Sequence, residues 1–309
     1  MPIVHAGKAA IEDIRRRASA CGYDPAYAPG RLRYGTFVSL ARRYVYVETP
    51  KAACTSIKRM IAALDGVDIN YTSPPYHRET RLEMFVHQRR YFDLPSLLDL
   101  DQTVRDDIFS GADRWFAFAT SRNPFSRAVS VFENKIRLGE PRYRALEARY
   151  GDRGAFSSVR DAFKAFVDEV LCDPARRDLD PHFSAQSRLL MPRLIPYSRI
   201  FKLDEMDQLV EQLTAHVGVE GGADAPALPR ENAGFGGSWR DYYDGEAALG
   251  VAQAYAEDFS VFGYDPQDWR GGSGSVEDPD WMRRWRAEIV ERNATIDRLY
   301  DWLDAAKQG

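Results

Sequence analysis

Apolar residues return along this chain in two rhythms. Short apolar, β-branched and aromatic runs stand at 44–47 (Tyr-Val-Tyr-Val) and 115–119 (Trp-Phe-Ala-Phe-Ala), with a mixed run at 199–203 and another at 36–40. Their length and residue types predict strands. Elsewhere apolar residues recur every three or four positions: Ile57, Met60, Ile61 and Leu64; Val129, Phe132 and Ile136; Phe163, Phe166, Val167 and Val170; Leu209, Val210 and Leu213. That spacing predicts helices from Ile57 to about Asp65-Gly66 and over 124–138, 157–171 and 204–216, with further helices at 8–20, 95–109 and 242–262 and a short one after Gln186. Strands alternating with helices imply an α/β fold, a largely parallel sheet flanked by helices. The basic turn Arg42-Arg43 makes a hairpin of 36–40 with 44–47 plausible on length alone.

Breaks in the pattern set the organisation. Residues 23–30 read as a Pro- and Tyr-rich loop, Pro74-Pro75 rules out regular helix in 67–81, and 218–238 is a long Gly-rich loop of the kind that carries function. Gly and Ser at 271–275 form a flexible joint. Beyond it Trp281, Trp285, Ile289, Ile296, Leu299 and Leu303 lie along one stripe of a long helix. This stripe is expected to fold back on the core, with a homodimer contact as the alternative. The division is therefore a domain over 1–266, then a joint and an amphipathic helix over 267–309.

Composition narrows the class. With 309 residues, 44% hydrophobic and 28% charged, the chain can bury a full globular core. A net charge of −4 argues against nucleic acid as the partner. No run approaches the ~20 apolar residues of a membrane span, and none has the apolar core of a signal peptide. Three unclustered cysteines, Cys21, Cys54 and Cys172, imply reduced thiols and a cytoplasmic setting. No carboxylate cluster has metal-ligand spacing, so no metal is expected.

The chemistry concentrates where the run 44–47 meets the helix after it. The turn between them is Thr49-Pro50-Lys51-Ala52-Ala53-Cys54-Thr55-Ser56. A helix N-terminus presents unpaired N–H groups and partial positive charge. Small side chains at Ala52, Ala53 and Cys54 let an oxyanion approach them, Thr55 and Ser56 add hydroxyls, and Lys51 adds a mobile charge. This is not a Walker A loop, which requires glycines and a Lys directly before Ser/Thr. Cys54 and Arg59 do not have the spacing of a Cys-based phosphatase loop.

The stretch resembles the loop that holds the 5′-phosphosulfate of 3′-phosphoadenosine 5′-phosphosulfate (PAPS) in sulfotransferases, in the form found in the family 2, carbohydrate-sulfating group. A second stretch, Thr120-Ser121-Arg122-Asn123-Pro124-Phe125-Ser126-Arg127-Ala128-Val129-Ser130, is similar to that family's 3′-phosphate motif, RxPxxRxxS. The resemblance covers about 40–266 and implies the sulfotransferase fold, PAPS as donor with PAP as product, and a hydroxyl acceptor on a glycan or glycolipid. It places Lys51, Ala52, Ala53, Cys54, Thr55 and Ser56 around the 5′ end, and Arg122 and Ser130 on the 3′-phosphate. Arg127 is a weaker candidate, read equally well as a surface ion pair. The Gly-rich segment 234–240 resembles a degraded form of the loop that closes over PAP, leaving Arg230 and Arg240 as guesses. Animal relatives are typically anchored in the Golgi membrane. With no such anchor visible, a bacterial, cytoplasmic enzyme is expected.

Sulfuryl transfer is an in-line displacement with a loose transition state, in which positive charge at the leaving phosphate contributes most. Lys51 is the candidate for that role. An alcohol acceptor also needs a base, and a pKa near neutrality is efficient. His87, between the two motifs, and His182, in the family-like segment Asp180-Pro181-His182-Phe183-Ser184-Ala185-Gln186, are the candidates, with Glu48 as a carboxylate alternative. His5 and His216 read as solvated or structural, and His77 lies in an irregular stretch. Two rivals stay open: a small-molecule P-loop kinase, which lacks its Gly-Lys-Ser/Thr here, and a non-catalytic PAP- or sugar-binding protein on the same fold.

Overall fold

The apolar runs pair into one four-stranded sheet. A computed structural model describes residues 7–67, 94–151, 156–218, 238–273, 276 and 278–308. In chain order these form α1 (Lys8–Ala20), α2 (Ala28–Gly35), β1 (Thr36–Ser39), β2 (Tyr44–Val47), α3 (Cys54–Leu64), α4 (Gln102–Phe109), β3 (Phe116–Ser121), α5 (Pro124–Val131), α6 (Arg144–Tyr150) and α7 (Val159–Phe166). Then follow α8 (Pro174–Arg177), α9 (Gln186–Leu190), β4 (Arg199–Lys202), α10 (Met206–Val217), α11 (Gly245–Ala254), α12 (Ala256–Phe262) and α13 (Asp280–Gln308). These elements divide between two units, which the chain enters in turn at Asn123, Ala185 and Gly234.

The first unit holds the sheet, in the order β1-β2-β3-β4. The hairpin forms, with Thr36 opposite Val47 and Ser39 opposite Tyr44. The other pairs are parallel, Tyr44 opposite Phe116 and Phe118 opposite Arg199. One face carries a ladder of rings, Phe37 on Tyr46 at 6.0 Å and Tyr46 on Phe118 at 5.2 Å. Against it pack Ile57, Met60 and Ile61 of α3 and Leu209 and Leu213 of α10. Asp65, which ends α3, accepts hydrogen bonds from Ser39 Oγ (2.5 Å) and from the Tyr44 hydroxyl, tying that helix to the hairpin.

The second unit is helical. Asn123 caps α5 by accepting from Phe125 N at 2.9 Å, with Pro124 in the first turn, as the sequence predicts. The helix continues to Arg137 as a π-helical stretch, and α7 continues to Leu171 in the same way. Phe132, Phe163 and Phe166 meet between them, the first pair edge-on at 5.3 Å.

Several local expectations shift. Residues 95–109 are not one helix: Asp99 accepts from Ser96 N at 2.9 Å, closing a 3-10 turn before α4 begins. The loop expected at 23–30 ends early, because Pro29 suits the first turn of α2. Residues 242–262 split three ways. Asp244 caps α11 through Ala247 N (2.8 Å), and a second break falls at buried Tyr255, whose hydroxyl donates to Phe183 O (2.6 Å). The helix after β4 is capped at Glu205 instead of Asp204, because a 3-10 turn at Leu203–Glu205 precedes it.

The largest correction concerns α13. It folds back within its unit, but the face it buries is Met282, Arg286, Val290, Asn293 and Asp297. Arg286 reaches Glu133 at 2.5 Å and Asp278 at 3.3 Å, and Asn293 donates to Leu138 O at 2.9 Å. Gly139, at φ +58, allows the approach: a Cβ there would stand 3.2 Å from Val290. Ionic and amide partners on the body decide the inner face, and the apolar stripe stays on the flank.

Candidate active site

The turn between β2 and α3 is built on an unusual backbone. Lys51 and Ala53 both take left-handed conformations, φ 68° and 60°, which cost non-glycine residues about 1–2 kcal/mol each. Ala52 N–H bonds Thr49 O at 3.3 Å, and the helix starts at Cys54 with Ala53 as a cap that has no side-chain acceptor. The first N–H groups of α3 therefore lack a side-chain cap at the place where an anion would satisfy them. Thr49 Oγ1, fully buried, has no hydrogen-bond partner among the described residues. Ala53, Cys54 and Thr55 are partly exposed along the turn, and Ser56 is buried. Strained small residues, an uncapped helix start and an orphaned hydroxyl fit a phosphate-like group.

The end of β3 is fastened to this turn. Thr120 Oγ1 donates to Ala52 O at 2.5 Å, and Arg122 Nη1 donates to Lys51 O at 3.2 Å. Gln186 holds the Arg122 backbone from both sides, accepting from its N–H and donating to its carbonyl, each at 2.8 Å. Arg122, at the start of the second motif, and the turn of the first, 71 residues apart at that bond, thus meet within the first unit. Thr120 and Gln186 act as struts, and neither residue type at its position signals that role in the sequence.

Glu48 is corrected as a candidate base. It is 3% exposed, paired with the buried Lys58 ammonium, with Arg31 Nη1 at 3.9 Å. Arg31 also donates to the Glu48 carbonyl and, from Nε, to Leu189 O at 3.0 Å. A carboxylate held between two buried cations is a support beneath the turn.

In the second unit, Ser130 lies partly exposed on α5. Arg127 is neither a surface ion pair nor an evident phosphate ligand. It is 1% exposed and donates to Ser184 O (2.9 Å), His182 O (3.1 Å) and Pro181 O (3.2 Å), clamping the segment that carries His182 onto α5. Arg240 is likewise engaged, its Nε donating to Asp268 O at 2.7 Å. His87, His77 and Arg230 lie outside the described residues. His216 stacks on Phe116 at 5.4 Å with Nε2 3.0 Å from Arg43 O, a structural role as expected.

His182 sits in an oriented constellation. Its Nδ1 lies 2.8 Å from Asp180 Oδ1, and the Tyr143 hydroxyl donates to Asp180 Oδ2 at 2.8 Å. Asp180 also accepts from His182 N at 2.8 Å. Burial alone would raise the Asp180 pKa, but the hydrogen bonds from His182 and Tyr143 hold it below the usual carboxylate range. The His182 imidazole is pushed down to about 4, first by burial and then by the Lys135 ammonium, which together outweigh the nearby Asp180 carboxylate. The ring is thus neutral at ordinary pH. With Nδ1–H donated to Asp180, its Nε2 keeps the lone pair of a base. The aspartate two positions before the histidine was the available sequence signal for this pairing. Among the described residues no group of His, Cys, Asp and Glu side chains could hold a metal ion, and no helix is long and apolar enough to cross a membrane.

Comparison with known proteins agrees with these motifs. A family model described as the sulfotransferase family matches residues 34–265. The chain is 27% identical over 180 residues to human carbohydrate sulfotransferase 8, covering 55% of this chain and 40% of that protein. It is 25% identical over 248 residues to carbohydrate sulfotransferase 10 of Xenopus laevis, covering 74% and 66%. To mouse carbohydrate sulfotransferase 12 it is 26% identical over 251 residues, covering 71% and 57%. The chain thus spans two thirds or less of the length of these relatives. No solved structure matches.

Proposed function

As the chain belongs to the sulfotransferase family, we propose that it transfers a sulfuryl group from PAPS to a hydroxyl group, on a carbohydrate or glycoconjugate acceptor. The bond from Arg122 to the Lys51 carbonyl supports the reading most, because it ties the arginine of the second motif to the turn of the first. The backbone N–H groups at the start of α3, with Thr55 and Ser56, are assigned to the 5′ end of the donor. Arg122 is assigned to the 3′-phosphate, and Ser130 keeps the same assignment from the motif.

In the proposed step the acceptor oxygen forms a bond to sulfur as the bond from sulfur to the phosphate oxygen breaks. Lys51 neutralises the charge that gathers on that oxygen, so PAP leaves as a stabilised anion. His182 Nε2 takes the acceptor proton, with Asp180 holding the ring in the required tautomer. A metal is not needed in this scheme, and we place the enzyme in a reducing, cytoplasmic setting on its three free thiols. The acceptor class is drawn from the names of the relatives.

A transfer assay with labelled PAPS over a panel of glycans, glycolipids and simple alcohols, with and without EDTA, tests this directly. Label should move to a sugar hydroxyl in EDTA as well as without it. Lys51→Ala should lower kcat by about 10²–10³ with a smaller change in PAP affinity. Arg122→Ala should do the reverse, weakening PAP binding by about 1.5–3 kcal/mol. A fully active Lys51→Ala variant would remove the mechanism, and failure to bind PAP at all would remove the family-derived activity.

A further inference from the structure

The π-helical stretch that carries α5 on to Arg137 turns a lysine inward. Lys135 is 5% exposed, and its ammonium bonds both carboxylate oxygens of Glu140, at 2.8 and 2.9 Å. Neither residue has a part in the transfer step itself. A buried ion pair is a weak source of stability, because both charges lose their water and an apolar pair of the same volume often serves as well. π-Helical turns also collect at functional sites. What this pair touches is therefore informative.

Its neighbour is Tyr143, which is also buried. The Lys135 ammonium stands 5.9 Å from the centre of the Tyr143 ring, and that ring meets the His182 imidazole edge-on at 6.2 Å. The Tyr143 hydroxyl donates to Asp180 Oδ2 at 2.8 Å and lies 3.1 Å from His182 Nδ1. With Oδ2 so engaged, Asp180 Oδ1 is left to meet both the backbone N–H and the ring Nδ1 of His182, each at 2.8 Å. All of these residues belong to the second unit. We infer that Tyr143, seated by the Lys135–Glu140 pair, is a positioning residue for His182: it fixes the carboxylate that orients the imidazole, while the ammonium behind it disfavours a second proton on the ring. The inference rests on His182 as the base of the proposed transfer. The other charges around the ring act differently. Asp180 and Glu140 both favour the protonated imidazole. Arg142, exposed, reaches Asp180 Oδ2 only at 3.4 Å, and Arg127 donates to the His182 carbonyl. After burial, the Lys135 ammonium is the largest influence against protonation.

Nitrogen NMR of the full chain carrying isotope-labelled histidine, with His182→Ala to assign the signal, reads the ring directly and needs no turnover. Wild type should show Nδ1 protonated and a midpoint near 4. Lys135→Met should raise that midpoint by about one pH unit, the acid limb of kcat/KM should rise with it, and Lys135→Arg should restore both. Glu140→Gln breaks the same ion pair but should not raise the midpoint, because it removes an anion that favours the charged ring. Tyr143→Phe keeps the ring and loses only the hydroxyl. It should raise the midpoint, since Asp180 then pulls harder on the ring proton, and lower kcat about 3–10-fold at unchanged PAP affinity. Equal upward shifts in Lys135→Met and Glu140→Gln would make the pair a structural tie and overturn the inference. So would a Tyr143→Phe variant with the titration and kcat of wild type. If the ring midpoint moves as expected while the acid limb of kcat/KM stays in place, His182 is not the base and the proposed step falls, while the positioning of the ring stands.

Discussion

Burial and charge pull the proton of His182 in opposite directions, and burial wins. The sequence reading expected a base with a pKa near neutrality. The fold pushes the candidate His182 down to about 4, because burial and the Lys135 ammonium outweigh Asp180. The wild-type kcat/KM should therefore be level from about pH 5 to 8 and fall only near pH 4, where the ring protonates. A limb near 6.5 would point to another base, with His87 the next to test. His182→Ala should lower kcat by about 10²–10⁴. Asp180→Asn should lower kcat at unchanged PAP affinity and move the acid limb further down, since it removes the anion that favours the charged ring. The same shift bears on stability. A histidine depressed from 6.5 binds more protons unfolded than folded between its two pKa values, so stability should fall as pH drops from about 6.5 toward 4. His182→Asn should flatten that slope in urea titrations. From the sequence, His182 was one of several candidate bases. Its protonation was not legible there, because burial is not a property of the motif.

At the scale of an element, α3 shows what local pattern can and cannot reveal. Its apolar spacing and its start after small residues follow from neighbouring positions. Lys58, two residues after Ser56, drew no assignment from its own position. In the fold it is wholly buried and paired with Glu48, the residue that ends the strand beneath it. Lys58→Met should destabilise the protein by about 3–5 kcal/mol, because it leaves a buried carboxylate with one cation fewer. Urea unfolding measures this, and a change under 1 kcal/mol would mean that Arg31 alone suffices. Arg127 teaches the same lesson on α5: a position inside a phosphate motif is spent on three carbonyls of the His182 segment.

At the scale of the whole molecule, α13 docks through charge and displays its hydrophobic stripe. Arg286→Ala should cost about 3 kcal/mol, the lower end for a broken buried pair, because Arg137 still holds Glu133 at 2.7 Å. A midpoint in urea unchanged from wild type would show that the ionic face does not hold the helix. The sequence by itself determined the strands, most of the helices, and the strand–turn–helix with its companion motif. All of these rest on side-chain periodicity and backbone preference among residues within a turn or two of one another. The tertiary structure alone decided which cations are struts, why Glu48 is a buried ion-pair partner, and which side of α13 turns inward. Those outcomes depend on partners brought together from distant parts of the chain. A buried charge is settled by the group that meets it and by the water it loses, and neither is written at its own position.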